Sequence, residues 1–415
     1  MAIPAQADVV VVGSGPSGSM AAGLLAKAGV NVVILDKEAH PRLRVGENLI
    51  PHIWKYADML GVTDDIVAAN FVSKQGGRVC WAGDVSKIAF KEFGYERLGL
   101  HVERDEFDQI LVRGAQRHGA KLFEKVVARR LNYDGSQNEL HYDGPDGAGV
   151  IVAPYVIDAS GQSGFLARQL GSRITNPDFR FRSVWGYFRN SRYYDAQGIV
   201  REHADIRKHK PVTYQHSLAL DGNSGWCWHI PLREYTSIGF VLTKETVSAL
   251  KRDFPDWETR FNHIVQSEPE LAHLMEHATL REDGYHFIND FAGHSECVAG
   301  PGYFMIGDAS GFFDPIYSVG VSLGMYGGAL AAWATGECLK KPAHEARYRK
   351  MFQDQLVARL EIARGLALPH YASAPMDEDR AKAVLAASSR TELALIEAAS
   401  KTNKRGHNLE RLINA

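Results

Sequence analysis

Val9-Val10-Val11-Val12-Gly13-Ser14-Gly15-Pro16-Ser17-Gly18 is the stretch that decides the fold. An apolar run leads into a glycine turn, Ser19–Lys27 reads as a helix, and Asn31–Leu35 returns to an apolar strand ending on Asp36. Strand, glycine turn, helix, strand and acid follow one another in the order of a dinucleotide-binding βαβ unit, which needs about thirty residues. Gly13 makes the tight turn, Gly15 lets backbone approach a pyrophosphate, and Gly18 permits close helix–strand packing. The helix N-terminus then faces the phosphates, and Asp36 stands where a ribose hydroxyl partner is expected.

The rest of the composition narrows the class. At 415 residues, with 45% hydrophobic and 23% charged residues, the chain reads as a soluble α/β protein with room for two or three cores. A net charge of −2 draws it neither to nucleic acid nor to an anionic membrane. Cys80, Cys227, Cys297 and Cys338 have no CxxC spacing, so free thiols in a reducing, cytoplasmic setting are expected. No apolar segment reaches the roughly 18 residues of a membrane span, and no charged leader precedes the first apolar run. The 17 histidines form no HExxH and no regular ligand spacing, so no metal is expected.

Two more apolar strands end on glycine turns, Tyr155–Gly161 and Tyr303–Gly311. With the first, they imply one cofactor domain assembled from separate parts of the chain. Between them, Phe71–Trp81 and Ile88–Phe93 read as short strands, and Val102 to His118 as a helix. Residues 179–242 alternate like strands and are rich in aromatics, which suggests a second sheet walling a pocket. Residues 243–277 turn helical, and Ser322–Leu339 is a small-residue helix suited to pressing on a sheet or cofactor. Lys74, by composition alone, is a surface residue, and Arg78 a solvated one.

This three-part layout resembles the FAD-binding fold of aromatic hydroxylases, geranylgeranyl reductases and flavin-dependent halogenases. Three features resemble the halogenases in particular: Trp226-Cys227-Trp228-His229-Ile230-Pro231 matches WxWxIP; Lys74 followed by Gly76 stands at a suitable distance after Val45-Gly46-Glu47; and Phe313-Asp314-Pro315-Ile316-Tyr317-Ser318-Val319-Gly320 is similar to FxPxxSxG. The resemblance implies an α/β fold: a discontinuous FAD-binding Rossmann-like domain (1–72, 100–165 and 290–340), an inserted β-rich substrate domain (73–99 and 166–289) and a helical C-terminal region (341–415).

It also implies roles. Gly13, Gly15, Gly18, Asp36, Arg42, Arg104 and Asp308 would bind FAD, supplied reduced by a separate flavin reductase, since no second GxGxxG for a nicotinamide is visible. Chloride or bromide would sit near Pro315, Ser318, Val319 and Gly320, and Trp226 and Trp228 would keep substrate and flavin apart. Lys74 would guide hypohalous acid to an electron-rich ring, by hydrogen bond or as a haloamine. The length resembles the compact branch acting on phenols or pyrroles, free or tethered to a carrier protein. An FAD-dependent aromatic monooxygenase and a geranylgeranyl-reductase-like flavoprotein are the alternatives.

Overall fold

Three parallel strands ending side by side organise the computed structural model, which describes residues 2–367 apart from 82, 134–135, 176–179 and 221–222. β1 (Val9–Val12) lies between β2 (Val32–Asp36) and Tyr155–Asp158, and the last pairs with Tyr303–Met305, all in parallel. Lys121–Glu124 beside β2 and Ala299–Gly300 at the opposite edge complete a six-stranded sheet. All four residues of β1 are buried, as both faces of a parallel sheet require, which is why the run is continuous rather than alternating.

Each of the three strands is followed by a glycine with positive φ: Gly13 (103°), Gly161 (64°) and Gly307 (58°). Turns far apart in sequence thus converge on one carboxyl edge, the crevice in which doubly wound sheets bind ligands. α1 (Pro16–Lys27) packs against the helix Gly320–Lys340. There a Cβ on Gly328 would stand 2.4 Å from the Ser17 carbonyl oxygen, so the small residues of that helix serve contact with α1.

The second sheet has eight strands, with Arg182–Trp185 paired to His286–Asn289, and Gly76–Trp81 parallel to Thr213–Leu220. Strand alternation divides its residues. Trp185, Tyr187, Trp226, Trp228, Ile230 and Val241 join the core shared with the first sheet. Cys80, Val184, Tyr214, Cys227, Ile238 and Phe240 face the helices Lys244–Asp253, Trp257–Ser267 and Pro269–Met275. The helical stretch expected from 243 to 277 is therefore three helices, two of them capped by Thr243 and Asp256 side chains.

Two strand expectations need correction. Phe71–Trp81 is two strands, Val72–Lys74 and Gly76–Trp81, because Gln75 turns its backbone to Pro211 and Phe90 instead. Ile88–Phe93 is not one strand either: Asp84–Ala89 is followed by a 3₁₀ turn over Phe90–Phe93. Val72–Lys74 and Gly99–His101 pair with each other, and Asn48–Leu49 joins them, so the boundaries expected at 72–73 and 99–100 fall inside a small three-stranded sheet. Of the C-terminal region, the 3₁₀ turn Pro342–His344 and the helix Glu345–Ala367 are described; residues 368–415 lie outside the described residues. No helix among the described residues is long and apolar enough to cross a membrane.

Candidate functional site

At the first turn the glycines divide their work. A Cβ on Gly13 would stand 2.4 Å from the Ala159 carbonyl oxygen and one on Gly18 1.9 Å from that of Gly13, so both are demanded by packing. A Cβ on Gly15 would approach no protein atom more closely than the Arg42 guanidinium, at 3.8 Å. Packing does not require a glycine there; backbone approach by a ligand does. Gly15 is also the N-cap of α1 and supplies no side-chain cap, which leaves first-turn N–H groups for an anion.

Asp36 and Arg42 are brought together beside this turn, Nη1 to Oδ2 at 2.6 Å. Ser14 donates its backbone N–H and hydroxyl to the same oxygen at 2.7 and 2.6 Å, and the Glu38 N–H binds Oδ1. Burial works upward on the Asp36 carboxyl, but Arg42 and these donors hold it below the usual range. One acceptor position remains on Oδ1, enough for a sugar hydroxyl. The uncapped helix end, the open backbone at Gly15, the Arg42 guanidinium and this carboxylate fit the phosphates and ribose of a dinucleotide. Asp308 accepts from Gln162 at 2.9 Å, tying the second glycine turn to the third, and burial pushes its carboxyl up. Arg104 is engaged by the protein itself: bidentate to Asp108 at 2.8 and 3.0 Å, and donating to the Val45 carbonyl at 2.9 Å.

Lys74 is 3% exposed and lines a cavity between the second sheet, the Ser318 turn and the helices Gly320–Lys340 and Glu345–Ala367, correcting the surface position that composition suggests. Its strand pairs Lys74 with Gly99, where a Cβ would lie 2.6 Å from the Leu49 carbonyl oxygen and 3.5 Å from Lys74 Cδ. The glycine is demanded by that carbonyl and by the Phe90 ring at 2.9 Å, while the lysine stem lies at ordinary contact distance. The Nζ sits 5.1 Å from the Phe90 ring centroid and donates to Asn48 Oδ1. No carboxylate lines this cavity among the described residues, and burial brings the amine down to about 7. His101, on the adjoining strand, is fully buried. Its Nδ1 donates to the Pro231 carbonyl at 2.9 Å, so Nε2 accepts from the Thr213 hydroxyl at 2.8 Å, and burial keeps the ring neutral.

Across the cavity, Ser318 and Val319 belong to its wall, whereas Pro315 and Gly320 stand behind it. The Ser318 N–H returns to the Pro315 carbonyl at 2.9 Å, with Ser318 in the left-handed region at φ 57°. Gln215 donates to the Ile316 carbonyl, pinning this turn to the second sheet. Trp226 and Trp228, 1% and 5% exposed, lie outside the cavity wall. Their rings are 5.9 Å apart, packed into the core shared by the sheets, with Trp228 Nε1 donating to Ser237. Arg78 is not solvated: it pairs with Glu270 at 3.0 Å and stacks 4.7 Å from the Tyr194 ring centroid.

Sequence reading missed Asn48, Thr213 and Gln215. Asn48 had a signal, since it directly follows the Gly46-Glu47 landmark used to place Lys74. The other two come to the cavity only through the parallel pairing of Thr213–Leu220 with Gly76–Trp81.

The chain matches the family described as FAD binding domain over residues 6–241. It is 32% identical over 337 residues to a tryptophan 2-halogenase of Chondromyces crocatus, covering 80% of this chain and 61% of that protein. With the flavin-dependent halogenase gsfI of Penicillium aethiopicum it shares 30% over 371 residues, 83% of this chain and 67% of the relative. The structure of the myxobacterial chondrochloren halogenase CndH superposes with a TM-score of 0.78 at 25% identity, covering 97% of this chain and 91% of that one. The chain belongs to this FAD-binding family, among its flavin-dependent halogenases, and FAD is its cofactor.

Proposed function

We propose that this member of the flavin-dependent halogenases uses reduced FAD, oxygen and chloride or bromide to halogenate an electron-rich ring, a phenol or pyrrole, free or carried on an acyl or peptidyl carrier protein. The observation that carries the reading is the Lys74 amine, buried in the wall of an aromatic-lined cavity with its pKa brought to about 7. Tyr56, Phe90, Tyr95, Tyr317 and Tyr326 around it suit a planar ring.

Reduced FAD, when bound, would supply electrons to O₂, the oxidant, so that reduced FAD, O₂, halide and a proton give FAD, hypohalous acid and water. The turn Pro315–Gly320 would hold the halide, with the Ser318 hydroxyl as donor. The neutral Lys74 nitrogen then takes halogen from hypohalous acid: the N–X bond forms, the O–X bond breaks, and hydroxide leaves with an amine proton as water. The ring carbon next forms its bond to halogen as N–X breaks, and the ring proton is lost as the amine is restored. A lysine that only donates a hydrogen bond to hypohalous acid is served best by the charged form instead. An amine brought to about 7 favours the first route, and halogenation rising with pH through about 7 would distinguish it.

Trp226 and Trp228 fill the space between the sheets and would bar the organic ring from the flavin. A separate cytoplasmic flavin reductase would deliver reduced FAD. The test is mass spectrometry of a phenol and pyrrole panel, free and carrier-loaded, with reduced FAD, oxygen and chloride or bromide. Halogen isotope patterns are expected; hydroxylated products with no halogen would convert the reading to a monooxygenase.

A further inference from the structure

Asn48 stands between the two parts of the cavity wall that the proposed reaction has to connect. Its Nδ2 donates to Ser318 Oγ at 2.6 Å, and its Oδ1 accepts from Lys74 Nζ. The two contacts agree on one amide orientation. An ammonium or amine N–H needs an acceptor, which only Oδ1 provides, and Nδ2 is left for the serine oxygen. The residue is 8% exposed, and its backbone is fixed by pairing with His101 in the small sheet. Ser318 at the other end is held by the turn bond to Pro315.

We propose that Asn48 is the positioning residue of this site, setting the Lys74 amine at a fixed distance from the Ser318 turn. The consequences at its two ends differ. At the lysine, one N–H is committed to Oδ1, so in the neutral amine the lone pair and the second N–H remain for the cavity. At the serine, the amide N–H occupies an acceptor position on Oγ, which leaves the hydroxyl proton to be donated elsewhere. Asn48 thereby orients both the group that would receive halogen and the hydroxyl that would hold halide. A neutral amide does this without the charge that would raise the amine's pKa, as a carboxylate here would. The other titratable groups around the cavity are His101 on the neighbouring strand, kept neutral by burial, and His52, Tyr56, Tyr95, Tyr317, Tyr326 and Arg359 in its wall.

The inference rests on the halogenation reading for its catalytic consequence, but the contact itself can be tested apart from it. In full-length protein carrying [ε-¹³C]lysine, the Lys74 resonance is assigned by its loss in Lys74→Met and titrated by NMR in wild type, Asn48→Asp and Asn48→Ala. Asn48→Asp, nearly the same shape, should raise the Lys74 pKa by about one unit or more. It should move the pH profile of halogenation upward with it. Asn48→Ala should still bind FAD but yield roughly ten- to a hundredfold less halogenated product per FAD oxidised, the cost expected of a misplaced reacting group. A Lys74 titration unmoved in Asn48→Asp overturns the proposal, whatever the enzyme makes. So does Asn48→Ala with wild-type product yield. A shifted titration in a protein that halogenates nothing on the panel upholds the contact and removes the halogenation reading instead.

Discussion

Arg104 and Lys74 are both buried cations, and the fold treats them in opposite ways. Arg104, on the glycine-turn side, faces a carboxylate four residues along its own helix and donates to two backbone carbonyls, so its charge is fully met inside the protein. Lys74, on the cavity side, has a neutral amide and the face of a phenyl ring. One arrangement fixes a charge; the other lets it come off near neutral pH. The difference fits the proposed division between a region that holds the cofactor and a region whose nitrogen does the chemistry.

The glycine-turn region breaks most dramatically. Gly18→Val drives a side chain into the Gly13 carbonyl, and no soluble folded protein is expected on expression. Gly15→Val meets no such obstacle, so it should fold and lose FAD affinity by roughly a hundredfold, read by flavin fluorescence titration. Equal behaviour of the two variants would remove the division of labour drawn between these glycines.

Arg104→Met leaves Asp108 buried without its partner and should cost about 3–5 kcal/mol in urea unfolding at pH 7. Lys74→Met should do the reverse. The folded amine titrates near 7 against 10.5 for the ordinary lysine, so between those values the unfolded chain binds more protons and stability rises with pH. The burial penalty is fully present below about 7, and methionine abolishes it. The melting temperature of Lys74→Met should therefore exceed that of wild type by more at pH 6 than at pH 9.5. The gap corresponds to a few kcal/mol at most, at about 1.4 kcal/mol per pH unit. A pH-independent gap would mean that the amine is not desolvated.

The same contrast explains what could be read from the sequence. The first glycine turn is local: strand, turn, helix and acid lie within one run, so Gly13, Gly18 and Asp36 were legible from spacing alone. The convergence of Gly161 and Gly307 on it followed from seeing three strand-to-glycine junctions. Lys74 emerged only through its motif neighbours, since a single lysine carries no periodicity. Its partner Asn48 lies 26 residues away, and the next link, Ser318, a further 270, so no pattern in the chain announces that path. The interior pairing of Arg104 was visible in principle, because Arg104 and Asp108 are i and i+4 on one helix. Arg78 escaped because Glu270, its partner, is brought up by a helix from the other side of the sheet.

The central claim is that the Lys74 amine, not the flavin region, delivers halogen to the ring. Its most direct test compares wild type with Lys74→Ala under reduced FAD, oxygen and bromide, following FAD reoxidation by absorbance and brominated product by mass spectrometry. The variant should bind FAD and reoxidise it while brominated product falls at least roughly a thousandfold, the scale of a lost catalytic group. Product formation by Lys74→Ala at the wild-type rate would contradict the account.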